Sequence, residues 1–242
     1  MASSRNATSA LVARLSRFRP LSDADEAALH ALAFVPRAYE AGQYLLRDGD
    51  LPRYCTVLLR GFAYRHKFVG DGGRQIVMLC VPTDLIDSQN LLLAQSDHNV
   101  QTLTPVEVAM VESDALIDLA FARPAIGRAL WHDSLVESSI AREWIANVGR
   151  RSARARTAHL LCEVAVRSER AGLGDRSAFE LPMTQEQLGD ALGLTAVHIN
   201  RTLKALQDDG LIQRSKRSVS VRDWAELSRT ADFSATYLHP AG

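Results

Sequence analysis

The chain predicts an α+β fold in three parts: an antiparallel β-roll, one long helix, and a helix-turn-helix followed by a β-hairpin. Three observations predict it. Short apolar or alternating runs separated by Gly, Asp and Pro fill residues 34–112, apolar residues recur at helical spacing from Pro124 to Gly149, and Met183 to Ile212 carries capping residues and a turn glycine placed for two short helices. The expected divisions are 1–123 for an N-terminal domain with flanking helices, 124–149 for the long helix and 150–242 for a C-terminal domain.

The first residues lack the apolar core and small-residue cleavage site of a secretory signal, and Ser9 to Phe18 suits a short amphipathic helix. In the roll, Tyr44-Leu45-Leu46, Val57-Leu58-Leu59, Ile76-Val77-Met78-Leu79 and Val106 to Val111 are the expected strands. Asp71-Gly72-Gly73, between Phe68 and Gln75, can supply the positive φ that a hairpin turn needs, although a plain surface loop fits nearly as well. Pro124 is well placed to open the long helix, on which Ile126, Leu130, Ile140, Trp144 and Val148 fall near one face, interrupted by Ser134 and Glu137. Arg150, Arg151, Arg154 and Arg156 form the densest basic cluster; they are expected to be mostly solvated at the start of the next helix, with phosphates or acidic groups as alternative partners.

Within Met183 to Ile212, Thr184 and Gln187 have the spacing of a capping box, and Leu188, Ala191 and Leu192 form a buried face. Gly193 sits where the first helix must end, and Thr195 caps the second. There Val197, Leu203 and Leu206 recur at roughly helical spacing, as do Ile199, Thr202 and Leu206, while Ala196, His198, Asn200, Arg201 and Lys204 form a polar, partly basic side. A recognition helix needs that combination, because Arg can donate a bidentate pair to guanine and Asn to adenine. Arg201 and Asn200 are the foremost base-reading candidates, with His198 behind them and Val197 placed for a thymine methyl or for packing. Thr184, Gln185 and Thr195 can offer hydroxyl, amide and backbone N–H groups to phosphates. Leu211 to Arg214 and Val219 to Val221 flank a basic turn, which makes a wing with Lys216 and Arg217 at its tip.

The LGDALGLT turn, the NRTLKAL helix and the DGLI exit to a wing resemble the C-terminal domain of the Crp/Fnr family of bacterial transcription regulators. Upstream, Ala41-Gly42-Gln43-Tyr44-Leu45-Leu46, Asp48-Gly49-Asp50, Val57-Leu58-Leu59-Arg60-Gly61 and Pro82-Thr83-Asp84-Leu85 are similar, in order and spacing, to that family's roll, a double-stranded β-helix shared with cyclic-nucleotide-binding domains. The resemblance implies a homodimer paired through the long helix, with Leu130, Ile140, Trp144 and Val148 at the interface, and a palindromic double-stranded DNA site. RNA polymerase and an unidentified small-molecule effector are candidate partners. The effector pocket would include Asp87, Ser88, Asn99 and Thr102. Cyclic AMP in the usual mode is not expected: the ribose-binding Glu position is Ser88, and no Arg occurs between Arg74 and Arg123 to meet a phosphate. The chain also has Ala196-Val197 where better-known members place a Glu-containing pair, so their operator does not carry over.

Net charge is zero, but residues 1–149 carry 14 basic and 17 acidic groups and the remainder 14 and 11, or −3 and +3, and the positive half suits phosphates. With no run near ~20 apolar residues, no membrane span is expected, and the location implied is cytoplasmic with Cys55, Cys80 and Cys162 as reduced thiols. Their scatter suggests neither zinc nor an iron–sulfur cluster. No cofactor is expected; haem stays open only because His66, His98, His132 or Cys80 could be nominated as an axial ligand. No nucleophile elbow, phosphate loop or HExxH pattern supports an enzyme. The rival to a DNA reader is a ligand-binding regulatory module whose winged domain contacts protein.

Overall fold

The computed structural model describes residues 2–17 and 20–240. By its contacts the chain divides into two compact units, one built on residues up to 66 and on 79–138, the other on 67–78 and 139–239. The division falls inside the long helix rather than at either of its ends.

The first unit opens with α1 (Ala2–Leu15) and α2 (Asp23–His30), the latter started by a complete capping box between Ser22 and Asp25. Helix α1 begins earlier than the sequence suggested, and Phe18 lies outside the described residues. The roll consists of β1 (Val35–Tyr39), β2 (Tyr44–Leu46), β3 (Tyr54–Arg60), β4 (Ala63–Phe68), β5 (Arg74–Cys80), β6 (Asn99–Thr102) and β7 (Val106–Glu112). These make two sheets, ordered β1-β7-β3 and β2-β6-β4-β5. Strand β3 pairs with β7 in an antiparallel register that places Cys55 opposite Val111 and Val57 opposite Ala109.

Both faces of β3 are covered, which is why Val57-Leu58-Leu59 reads as an unbroken apolar run. Cys55 and Val57 pack with Leu11, Leu15, Leu29, Leu116 and Ile126 of the helices. Leu58 turns the other way, into the roll, against Leu46, Ala63, Ile86, Val100 and Val108. Strands β1, β4 and β6 carry weaker signals. Pro36 in β1 is tolerable because that strand lies at a sheet edge, and β4 is half polar. The turn after β4 is a hairpin, with Gly72 at φ +82° and the Val69 N–H donating to Gly73 O at 2.9 Å.

Helices α3 (Ser113–Ala122) and α4 (Pro124–Arg150) follow the roll. A short 3-10 turn, Ser88–Leu91, precedes β6. In the second unit α5 (Ala153–Arg170) is buried from Thr157 to Ser168 and forms the centre of that unit. Around it lie α6 (Gln185–Leu192), α7 (Ala196–Asp208), the sheet of β8 (Ala178–Glu180), β9 (Ile212–Ser215) and β10 (Ser218–Val221) in order β8-β10-β9, and α8 (Trp224–Ala231). A final 3-10 turn, Ala235–Leu238, packs Leu238 inward. No described helix is long and apolar enough to cross a membrane.

Candidate nucleic-acid interface and the interior of the roll

The helix-turn-helix is assembled by local chemistry. Thr184 Oγ1 accepts from Gln187 N at 3.1 Å while Gln187 Oε1 accepts from Thr184 N at 2.9 Å, so both halves of the capping box form. Gly193 ends α6 in the left-handed region, φ +62°, and Thr195 Oγ1 caps α7 by accepting from His198 N at 3.2 Å. A second glycine matters as much: a Cβ on Gly189 would stand 2.4 Å from the carbonyl oxygen of Leu194, so only glycine permits the turn to fold back this closely. The sequence reading singled out Gly193 and missed Gly189, whose signal lies in tertiary approach.

Helix α7 buries Ile199, Thr202, Leu203 and Leu206. Ala196, Val197, His198, Asn200, Arg201 and Lys204 all face outward. Val197, read from the sequence as part of a core-facing row or as a thymine contact, is 71% exposed; its Cβ branch points outward because Ile199 and Leu203 define the buried direction. Thr184 and Thr195 are exposed and Gln185 is half-buried at the helix starts. At the wing tip, Lys216 adopts φ +52° between β9 and β10, and Lys216 and Arg217 are exposed. None of Arg201, Lys204, Lys216 and Arg217 holds an ion pair among the described residues. One edge of the wing sheet, β8, was not legible in the sequence.

The arginine cluster is a correction. Arg151 pairs with Glu143 at 2.7 Å, Arg154 with Asp209 at 2.6 Å, and Arg156 donates through Nη1 to Leu192 O at 2.6 Å. Arg156 thereby satisfies a carbonyl that the end of α6 leaves without an intrahelical donor. Arg151 and Arg156 are therefore held by the fold, Arg154 sits in a partly exposed ion pair, and Arg150 and Arg156 have no ion pair among the described residues. The hairpin of residues 67–78 joins the same unit, where Arg74 pairs with Asp190 of α6 at 2.7 Å and Gln75 Nε2 donates to Ala191 O at 3.3 Å.

The face of α4 is a second correction. Leu130, Ile140 and Trp144 are buried in the chain's own cores and Val148 is half-buried. Trp144 Nε1 donates to both oxygens of Glu163, 3.0 Å each, which fixes the ring inward. The large apolar side chains that α4 leaves exposed are Trp131, Leu135 and Ile145, at 68%, 53% and 72%. With Ser138 and Arg142 they follow one another in steps of four and three residues, the spacing of a helix–helix seam. Sequence periodicity found a genuine stripe, but a helix of this length has two, and the larger one faces inward.

Inside the roll the four pocket candidates separate. Asn99 Oδ1 accepts from Asp48 N at 3.2 Å, and Thr102 Oγ1 donates to Glu40 O at 2.7 Å and accepts from Gln43 N at 2.9 Å. Both tie turns of the roll through these bonds. Asp87 and Ser88 instead gather beside a buried cation that sequence reasoning overlooked. Arg65 of β4 pairs with Glu137 of α4 through Nη2 at 3.0 Å and Nη1 at 3.2 Å. The same Nη2 reaches the carbonyls of Leu85 at 3.1 Å and Ile86 at 2.9 Å. Burial pushes the Asp87 carboxyl up to about 7, with Arg65 pulling it down and Glu137 pushing it further up. One turn earlier on α4, Asp133 pairs with Arg14 of α1 at 2.8 Å, and Arg14 also pairs with Asp84 at 2.6 Å.

Of the nominated haem ligands, His66 packs against the rings of Tyr44 and Tyr64, and His98 contacts Gln89 and Asp97. All three cysteines are buried as free thiols; burial pushes Cys55 well above its usual range and Cys162 up to about 12, which keeps both protonated and unreactive.

A capped helix with an exposed, partly basic face beside a basic wing is the arrangement of a DNA-binding transcription regulator. Residues 36–123 match the model of the cyclic nucleotide-binding domain, and residues 155–230 match that of the Crp-like helix-turn-helix domain. The chain belongs to the Crp/Fnr family. It is 32% identical over 199 residues, 81% of this chain and 79% of the relative, to the transcriptional activator protein FnrL of Cereibacter sphaeroides. It is 28% identical over 196 residues, 81% and 78% of the two chains, to the nitrogen fixation regulation protein FixK of Azorhizobium caulinodans. Among solved structures its fold resembles that of FixK2 from Bradyrhizobium japonicum, with a TM-score of 0.76 at 24% identity, over 84% of this chain and all of that one.

Proposed function

We propose that two copies of this chain, paired along the exposed Trp131, Leu135 and Ile145 stripe of α4, read a palindromic DNA site with the N-terminal half of α7 in the major groove. The observation that carries this reading is the outward face of α7: Asn200, Arg201 and Lys204 stand exposed on a helix whose other side is fully committed to the core. Arg201 is assigned a bidentate contact to guanine and Asn200 a contact to adenine, while His198 and Lys204 border the phosphates and Val197, an exposed apolar group, meets a thymine methyl. Thr184, Gln185, Thr195, Lys216 and Arg217 hold the backbone and set the register. Ala196 leaves room for the helix to approach the base edges.

Pairing through α4 would also cover part of a surface groove of about 530 Å³ lined by Leu91, Leu92, Phe121 and Trp131. Two-fold symmetry then places the recognition helices on successive turns of one DNA face. The relatives named transcriptional activators support a protein that works in the cytoplasm with RNA polymerase as its further partner. Cyclic AMP in the usual mode has no place in this reading, because the position that would hold its ribose is Ser88 and the roll's buried cation is already paired. The test is competition of single-base variants of the selected site for wild type and Arg201→Ala. Loss of discrimination at one position per half-site is expected; equal loss at every position would remove Arg201 from base reading.

A further inference from the structure

We propose that Arg65 is an anion-binding site of the β-roll whose ligand is the chain's own Glu137, so that a tethered carboxylate seats α4 on the roll where a diffusible anionic effector would otherwise be required. The arrangement is built on the roll side. The Arg65 guanidinium is held in place by the carbonyl oxygens of Leu85 and Ile86, which fix its direction but carry no counter-charge. Glu137 supplies that compensation through two hydrogen bonds, and Ser88 Oγ lies 3.4 Å from the same carboxylate. Both charged side chains are nearly closed to solvent, 8% and 12% exposed, so neither can exchange its partner for water cheaply.

The neighbouring acid is the weaker partner in this arrangement. Asp87 is buried beside Arg65, yet its Oδ1 has no hydrogen-bond partner among the described residues, and burial with the Glu137 charge pushes its carboxyl up. Glu137, which makes two hydrogen bonds to the guanidinium, is the carboxylate that Arg65 is paired with. Asp133, one turn away on the same helix face, repeats the device with Arg14, so α4 meets the rest of the unit through two acid–arginine contacts. No Arg occurs between Arg74 and Arg123; the cation is on β4, and its anion comes from α4.

The ligand class follows from the geometry: a small carboxylate. Glu137→Ala removes a CH2–COO⁻ fragment, the size of acetate, and leaves Arg65 in place. Thermal unfolding of the full chain is to be compared in sodium acetate and sodium chloride at equal ionic strength and pH 7. In chloride the midpoint of Glu137→Ala should fall by on the order of 10 °C, and acetate should restore at least half of that loss along a saturating curve. Wild type, and the doubly apolar variant Arg65→Met/Glu137→Leu, should show no acetate-specific gain. A gain in Glu137→Ala no larger than theirs would overturn the proposal and reduce Glu137 to packing. Should Glu137→Ala fail to fold, Glu137→Gln decides the matter. Its neutral amide keeps the shape, so a clear fall in the midpoint supports the site and an unchanged midpoint overturns it.

Discussion

Glu163 offers a sharp test of how the second unit is held together. Its side chain is 1% exposed on α5, and its oxygens accept from Trp144 Nε1 at 3.0 Å, from the Tyr237 hydroxyl at 2.8 Å and from Arg167 Nη1 at 3.2 Å. Burial and this carboxylate push the Tyr237 phenol far above its usual range, so it remains a proton donor at every accessible pH. Glu163→Leu keeps the volume, strands the Trp144 and Tyr237 donors and takes the paired carboxylate from Arg167. A buried donor left unmet costs about 1–3 kcal/mol, and breaking a buried ion pair about 3–5 kcal/mol. Arg167 lies at the margin of solvent, 9% exposed, which favours the low end, and losses that share one acceptor do not add. The expected destabilisation is about 4–6 kcal/mol. Glu163→Gln keeps one acceptor oxygen and should cost about 2–3 kcal/mol, and Tyr237→Phe, which removes one donor cleanly, about 1 kcal/mol. Urea unfolding followed by tryptophan fluorescence measures all three. A Glu163→Leu variant within about 1 kcal/mol of wild type would show that apolar packing replaces the network without loss, and would refute the reasoning.

Arg201→Ala should weaken specific DNA binding by about 1–3 kcal/mol, measured by fluorescence anisotropy on the selected site, and an unchanged affinity would contradict its role. Lys216→Ala and Arg217→Ala should each weaken binding evenly across sequences and reduce the slope of log K against log salt by about 1; a changed base preference would mean that the wing reads sequence. Trp131→Asp combined with Leu135→Asp should lower the sedimentation mass to that of one chain, whereas a variant that stays dimeric places the interface elsewhere. Asp87, whose carboxyl burial lifts from 3.8 to about 7, binds its proton more tightly folded than unfolded. Its contribution to stability is therefore full below pH ~4 and is lost as pH rises towards ~7, at up to about 1.4 kcal/mol per pH unit. Asp87→Asn should flatten that decline in urea titrations between those limits; a pH profile identical to wild type would contradict the assignment.

The parts legible in the sequence are those governed by local chemistry. Caps at Thr184 and Thr195, the left-handed glycine at 193 and the basic turn at Lys216 each need only neighbouring residues, and the second unit shows each as expected. Apolar runs likewise marked β3, β5 and β7, whose side chains are buried on one or both faces. Strand β4 was illegible because its sequence, Ala-Tyr-Arg-His-Lys-Phe, buries a charge whose paired carboxylate comes from a distant helix. The same cause hid the roles of Arg14, Arg65 and Arg156, whose partners lie tens of residues away. On α4 the stripe through Trp144 was correctly seen as apolar, but periodicity cannot tell a face that packs on its own chain from one left for another. Asn99 and Thr102 were candidates by position; the hydrogen bonds that tie them to turns of the roll are invisible in sequence.

The most direct test of the central claim is selection of the purified wild-type chain on a randomised double-stranded DNA library, with no ligand added, followed by sequencing of the bound pool. The account predicts an inverted repeat whose half-sites are centred about 10 base pairs apart or a multiple of that, with a guanine in each half-site lost on Arg201→Ala. Enrichment of no sequence, or of a motif that Arg201→Ala selects equally well, would contradict it.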